Sequence, residues 1–185
     1  MSKGRKKYLN LLIFQSELIM AGKKILDKDT VLQKVKRMAY EIYENNFEEK
    51  EIVFAGLIGE GYSLAKLLAE NLEAISKIKT NLVKIDLDKE NPYKSPVKFD
   101  QDSSIFQNKV IIVVDDVLNT GRTFSCSLAP LLSLPVKKIQ SAFLVNRNFA
   151  KFPIHADYVG YELSTTFSEF ISVSLSKGKI AVTIK

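Results

Sequence analysis

The segment that most restricts what this chain can become is "KVIIVVDDVLNTGRTF", from Lys109 to Phe124. Five consecutive β-branched apolar residues, Val110 to Val114, fit a strand buried on both faces, as the interior of a parallel sheet requires. Two adjacent acids, Asp115 and Asp116, end that run, and "VLNTGRT" leads from them into the helical pattern of "TFSCSLAPLLSL", which carries Pro130. Strand, loop and helix in this order make half of a βαβ unit. In an open parallel sheet ligands bind outside the carboxyl ends of the strands, so the acids are expected to face a crevice.

The loop after the acids suits an anion. Amide N–H groups at a helix start, with the helix dipole behind them, surround a phosphate well. Gly121 removes a side chain that would block close approach of the backbone, and Thr120 and Thr123 add hydroxyl donors. Two carboxylates next to such a cradle must meet a group that donates hydrogen bonds or carries positive charge. Sugar hydroxyls and a hydrated magnesium ion both qualify. The combined expectation is a ribose 5-phosphate, its diol on the acids and its phosphate in the loop. The same residues also have a plainer use, with Asp116 capping a turn and Thr120 capping a helix.

Elsewhere the chain alternates in the same way. "DTVLQKVKRMAYEIYENN" opens with a capping-box pattern at Thr30 and Gln33, and Val31, Val35, Ala39 and Ile42 make an apolar stripe. "EIVFAGLI" reads as a buried strand and "GEGYSLAKLLAENLEAI" as a loop opening a helix. "TNLVKIDL" and "KIQSAFLV" are further strands, giving right-handed crossovers and a parallel sheet. "ADYVGYEL", "FISVSL" and "KIAVTI" crowd together near the end and predict a small antiparallel appendage or edge strands. The segment from Asp88 to Gln101 is polar, contains two prolines and is too long for an ordinary connection, which marks it as a functional loop.

Composition narrows the function classes. A chain of 185 residues, 46% hydrophobic and 26% charged, is one globular domain with a real core, neither disordered nor fibrous. Its apolar runs fall short of the roughly 20 residues that span a bilayer, so no membrane partner is expected. A single cysteine, Cys126, excludes an internal disulfide and points to the reducing cytoplasm, and it reads as a small buried hydrophobe. The sole histidine, His155 beside Pro153 in sequence, reads as structural. Lys3, Arg5, Lys6 and Lys7 before "YLNLLIF" imitate a signal peptide, but Asn10, Gln15 and Glu17 interrupt the apolar part. Residues 1–22 are therefore taken as an N-terminal extension and 23–185 as the domain. A net charge of +6 favours anionic partners, either a phosphorylated small molecule or RNA.

"VVDDVLNTGRT" resembles the phosphoribosyl-diphosphate (PRPP) loop of the type I phosphoribosyltransferases, position for position. Within that superfamily the nearest likeness is to the pyrimidine-operon regulators that also have uracil phosphoribosyltransferase activity. "ILDKDTVLQKVKRMAYEI", "GLIGEGYSLAKLLAENLE" and "AFLVNRNFAKFPIHADYVG" support it, so that it spans roughly residues 24–185. The resemblance implies an α/β fold with a central five-stranded parallel sheet flanked by helices and a small hood. It implies transfer of ribose 5-phosphate from PRPP to a nucleobase, uracil ahead of purine, with magnesium as cofactor and a homodimer or larger assembly. By the same likeness Asp115, Asp116 and Asn119 are catalytic, the two acids holding the metal through water. Val117, Leu118, Thr120, Gly121, Arg122 and Thr123 bind PRPP, and Gly59, Glu60 and Gly61 form the pyrophosphate loop. Tyr93 and Lys94 belong to the flexible loop, and Asn146, Arg147, Tyr158 and Val159, with Tyr161 nearby, to the base and hood region.

Four positions depart from that pattern. Ile58 and Glu60 stand where Lys and Arg are expected, Asn119 replaces the acid of purine enzymes and the aromatic residue of the regulators, and Asn146 replaces Lys or an acid. An acid facing pyrophosphate repels it by about 1 kcal/mol at contact even in a water-like dielectric. The alternative reading is therefore a catalytically weakened, nucleotide-sensing regulator that binds RNA. Tyr158 and Tyr161 also fit ordinary core packing.

Overall fold

The computed structural model describes residues 22–166, 168–176 and 178–185. The signal-like stretch at the N-terminus lies outside them. In chain order the elements are β1 (Lys23–Leu26), α1 (Lys28–Asn46), β2 (Glu51–Leu57), α2 (Glu60–Ile75), β3 (Lys79–Asp86), β4 (Lys98–Phe99), a 3-10 turn (Ser103–Phe106), β5 (Val110–Leu118), α3 (Arg122–Leu132), β6 (Lys138–Asn146), β7 (Tyr158–Glu162), β8 (Ile171–Ser174) and β9 (Ala181–Ile184).

The β-branched run of β5 occupies the middle of the main sheet, whose order is β4-β3-β2-β5-β6-β7. Alternation along the strand splits its side chains between two cores. Val110, Ile112 and Val114 join Val35, Met38 and Ile42 of α1 and Leu64, Leu68 and Leu72 of α2 on one face. Ile111 and Val113 meet Phe124 and Leu131 of α3 on the other. β2, β3, β5, β6 and β7 run parallel, and the two-residue β4 adds an antiparallel edge next to β3. The parallel sheet expected from the sequence is present, with β4 making the whole sheet mixed.

One local expectation is corrected. α1 begins at Lys28, and Asp27 is its cap, accepting from the Thr30 N–H at 2.9 Å. Thr30 thus lies in the first turn, because an acid three residues earlier offers the same capping chemistry at the end of β1. Among the three late strands, β7 joins the main sheet parallel to β6, while β8 and β9 pair antiparallel. The third strand of that small sheet is β1, which brings Lys23 to Ile184 from the other end of the chain. Pro130 lies inside α3, which stops two residues later at Leu132.

β2 and β5 part company at one point. They are paired from Ile52↔Val110 to Gly56↔Val114, after which β2 turns into α2. β5 instead continues through Asp115 and Asp116 and stays paired with β6 as far as Leu118↔Asn146. The acids therefore belong to the strand rather than lying beyond it. Because α2 packs on one face of the sheet and α3 on the other, the gap between β2 and β5 is a topological switch point, where α/β sheets open a crevice.

Candidate active site

Asp115 lines that opening, and Asp116 follows it in β5. Asp115 is 7% exposed, and the first turn of α2 lies directly against it. A Cβ on Gly61 would stand 2.8 Å from Asp115 Oδ1 and 3.0 Å from Asp115 Cα, so only glycine permits this approach. Asp115 Oδ1 accepts from the Asp116 N–H at 3.1 Å and from Lys89 Nζ at 3.0 Å. Lys89 Nζ is 3.9 Å from Asp116 Oδ1. Burial, together with the neighbouring Asp115 carboxylate, pushes the Asp116 carboxyl up to about 7, and the Lys89 ammonium only partly offsets this. The pair therefore has unmet affinity for positive charge.

Downstream, residues 117–124 bend round a cleft of about 300 Å³ that also includes Asp115, Lys89 and Glu90. Gly121 caps α3 at φ 80°, a left-handed conformation that glycine adopts without strain. Gly121 has no side chain to cap the helix, so the Thr123 and Phe124 N–H groups are left for an anion. Thr120 braces the loop from behind, its carbonyl accepting from the N–H groups of Lys151 at 2.9 Å and Phe152 at 3.2 Å. Its hydroxyl oxygen accepts from the Arg122 N–H at 3.3 Å. The arrangement joins a negatively charged shelf to an N–H-rich pocket within one cleft, a combination chemically suited to a phosphorylated sugar.

A phosphoribosyl transferase domain model matches residues 21–176. The chain belongs to the phosphoribosyltransferase family. Bifunctional protein PyrR of Streptococcus thermophilus is 34% identical over 173 residues, covering 89% of this chain and 98% of the relative. Its counterpart in Bacillus pumilus is 35% identical over 162 residues, covering 83% and 90%. Among solved structures, a hypoxanthine-guanine phosphoribosyltransferase from Bacillus anthracis superposes with a TM-score of 0.67 at 20% identity, over 87% of this chain and 96% of that one. The hypoxanthine phosphoribosyltransferase of Trypanosoma cruzi gives 0.70 at 11% identity, over 88% and 95%. These two likenesses establish the fold.

Against that family background the remaining site residues fall into two groups. Asn119 reaches the cleft, and its Oδ1 accepts from Arg147 Nη1 at 2.9 Å. Arg147 is buried at 4% exposure, and it also donates through Nε to the Thr165 hydroxyl and through Nη2 to the Thr166 carbonyl at 2.8 Å. It thereby ties the phosphate-side loop to the segment leading into the small sheet. Asn146 lies at the end of β6, donating to Glu162 Oε1 at 3.4 Å and accepting from the Asn148 N–H at 3.1 Å.

The second group sits elsewhere. Tyr158 is in the core, its hydroxyl accepting from Asn46 Nδ2 at 3.1 Å, and burial pushes it up to about 12. The Val159 carbonyl accepts from Arg37 Nη2 at 2.6 Å on the outer side of β7, and the Tyr161 ring lies under Lys34 Nζ at 5.9 Å. Tyr93 is 69% exposed, and the Lys94 N–H donates to Asn91, so neither lines the cleft. Glu60 opens α2, and its Oε2 accepts from the Leu175 N–H at 3.1 Å, fastening the loop after β2 to the small sheet. Lys89, Glu90 and Phe124 line the cleft without having been singled out from the sequence. The available signal for Lys89 was its place just past a strand end on the same edge of the sheet as the acids.

Proposed function

We propose that this protein transfers ribose 5-phosphate from PRPP to a nucleobase, uracil ahead of purine, and releases pyrophosphate. The observation that carries the reading is the single cleft in which Asp115 faces the uncapped start of α3 across residues 117–123. In it Asp115 and Asp116 accept from the ribose hydroxyls, while the loop N–H groups and the hydroxyls of Thr120 and Thr123 hold the 5-phosphate. The C1–O bond breaks with its electron pair remaining on the diphosphate. The base nitrogen supplies the pair for the new C1–N bond, and its proton passes to solvent. Positive charge gathers on the ribose in the transition state, beside the carboxylates, so positioning and electrostatics supply most of the acceleration.

Magnesium fits this site. Two adjacent oxygen donors, one with its proton affinity raised by burial and by its neighbour, suit a hard cation that completes its shell with water and substrate oxygens. Asp115 and Asp116 would hold the ion through water, and it would supply charge neutralisation for the diphosphate. For the base, Arg147 fixes the Asn119 amide by its oxygen and leaves its NH2 as a donor for a ring carbonyl, a group that uracil, hypoxanthine and guanine all carry. The resemblance to pyrimidine-operon regulators with uracil phosphoribosyltransferase activity puts uracil first, and by analogy with the family the protein acts as a homodimer or larger assembly.

Calorimetry with PRPP and magnesium, followed by a nucleobase panel scored for pyrophosphate release, tests the reading. Micromolar binding and release with uracil above hypoxanthine and guanine are expected. Failure to bind PRPP removes the proposal. A second reading, a pyrimidine-gene regulator that binds RNA and senses nucleotides, is favoured by one observation: Glu60 is engaged with Leu175 in a loop that has no basic residue. Salt-sensitive, UMP-dependent binding to pyrimidine-operon leader RNA without turnover supports that reading, and absence of RNA affinity at low salt removes it.

A further inference from the structure

A second cavity opens at the amino ends of β2 and β3, the end of the sheet away from the acids. β2 runs from Glu51 to Leu57, so about 20 Å separates its two ends at roughly 3.3 Å per residue. The cavity holds about 750 Å³, within the range of small-molecule sites. Its walls come from the last turns of α1 and α2, the segments that follow them and the two strand starts.

Its lining combines open rings with unpaired cations. Phe47 follows α1 at φ −62° and ψ −20°, so it continues the helical backbone and shares a face with Tyr43, four residues earlier. The two residues are 63% and 37% exposed, which leaves flat apolar surface open to a ligand. Strand pairing gathers the cations: Glu51 is in register with Lys79, and the Lys79 N–H donates to the Lys50 carbonyl at 3.0 Å, with Lys77 two residues away. The acids beside them are engaged elsewhere. Glu49 pairs with Lys137 at 2.6 Å, and Glu51 with Lys109 and Asn81, and neither of those lysines lines the cavity. Lys109 and Asn81 hold the Glu51 carboxyl below the usual carboxylate range, and Lys79 adds only a smaller pull. Among the described residues no carboxylate pairs with Lys50 or Lys77.

We propose that this cavity binds a nucleoside di- or triphosphate, with the base on Tyr43 and Phe47 and the phosphates on Lys50, Lys77 and Lys79. Aromatic side chains stack on the π-face of any base, and three ammoniums on neighbouring stretches of backbone favour a ligand with several negative charges. A bare polyphosphate uses the lysines and leaves the rings open, and an uncharged aromatic molecule does the reverse. Only a ligand with both parts uses the whole lining. The site is separate from the cleft of Asp115, and the proposal does not depend on the transferase reading.

The test is calorimetric titration of ATP at low salt into the full chain, into Phe47→Ala and into the double variant Lys50→Gln/Lys77→Gln, with tripolyphosphate and adenosine titrated in parallel. Wild type is expected to bind ATP with a Kd below about 100 μM, and the two fragments at least about tenfold more weakly. Phe47→Ala should lose about tenfold for ATP and nothing for tripolyphosphate, because only the stacked base is affected. The lysine variant should lose about tenfold or more for both, as charge-assisted hydrogen bonds disappear. All three side chains are exposed, so melting temperatures should stay at the wild-type value. Absence of ATP binding overturns the proposal. So does undiminished ATP affinity in either variant, which places the nucleotide elsewhere, and so does tripolyphosphate binding as tightly as ATP, which leaves an anion patch only. A single-stranded RNA that displaces ATP at far lower concentration and loses affinity in the same variants also overturns it, by assigning the cavity to a polynucleotide.

Discussion

The loop after β2 and the loop after β5 share a backbone plan. Each leaves a buried parallel strand, turns through a glycine at positive φ (91° at Gly59, 80° at Gly121) and opens a helix with no side-chain cap. Their side chains then diverge. Around Gly121 stand two threonines and an arginine, and the space in front of them is a cleft. Beside Gly59 the chain places Ile58 and Glu60, and the acid is committed to Leu175 of the small sheet. A glycine turn into a helix supplies N–H groups at both places, but only the loop after β5 keeps them in surroundings that welcome an anion. The backbone creates the opportunity, and the neighbouring charges decide whether it is used.

The strongest challenge to this contrast removes the acids that the two loops share. Asp115→Asn is expected to lower pyrophosphate release by at least about 100-fold, because the charge that faces the ribose cation is gone. Initial rates at saturating PRPP and uracil measure it, and a rate within threefold of wild type would assign the chemistry elsewhere. Gly61→Ala ranks next. Its Cβ would lie 2.8 Å from Asp115 Oδ1 and 3.0 Å from both Asp115 Cα and the Val114 carbonyl, and two of those atoms are backbone that cannot turn aside. Overpacking of this kind costs about 1–3 kcal/mol, which thermal unfolding would register as a fall of several degrees.

Much of this site is legible in the sequence because its physics is local. A run buried on both faces, two acids and a Gly-Thr loop are contiguous, and their neighbours in the sheet do not alter their roles. The extent of β5 was misread for a related reason: charged residues normally end a strand, yet Asp115 and Leu118 keep their pairing with β6 because β6 is equally long. Lys89 meets Asp115 across 26 positions of sequence, and Glu60 meets Leu175 across 115, so no local pattern announces either contact. β1 is hidden in the same way, being four residues with two lysines that become a strand only because β9 is there to pair with them. Tyr158 illustrates the opposite error. An aromatic residue near a hood motif invites a ligand role, but Asn46 offers its hydroxyl a partner inside the core.

The two capping glycines give a finer comparison. Nothing lies within 4 Å of a Cβ on Gly59, whereas a Cβ on Gly121 would meet Ile154 Cγ1 at 3.3 Å. Gly59 has φ 91° and ψ −133°, outside the left-handed helical region, so alanine there costs about 1–3 kcal/mol from backbone strain alone. Gly121 at φ 80° and ψ −2° is in the left-handed region, where the penalty is about 1–2 kcal/mol and asparagine is tolerated. Urea unfolding should therefore find Gly121→Asn less destabilised than Gly59→Asn. Equal losses would mean that the two turns are not distinguished by backbone geometry.

Glu60→Gln is the smallest change and the one that most directly makes the first loop resemble the second. Glutamine keeps an oxygen for the Leu175 N–H, so the fastening to the small sheet survives with a neutral acceptor in place of a charged one. The stability loss should be no more than about 1 kcal/mol, the difference between a charged and a neutral hydrogen bond. Removal of a like charge from the path of a diphosphate works in the opposite direction on binding. At contact distance that repulsion is about 1 kcal/mol in a water-like medium, so pyrophosphate affinity with magnesium should rise roughly fivefold. A rise in affinity together with a slight fall in melting temperature would show that Glu60 trades ligand attraction for attachment of the small sheet. Unchanged affinity would mean that Leu175 already holds the carboxylate clear of the diphosphate, and the difference between the loops would then lie in shape rather than charge.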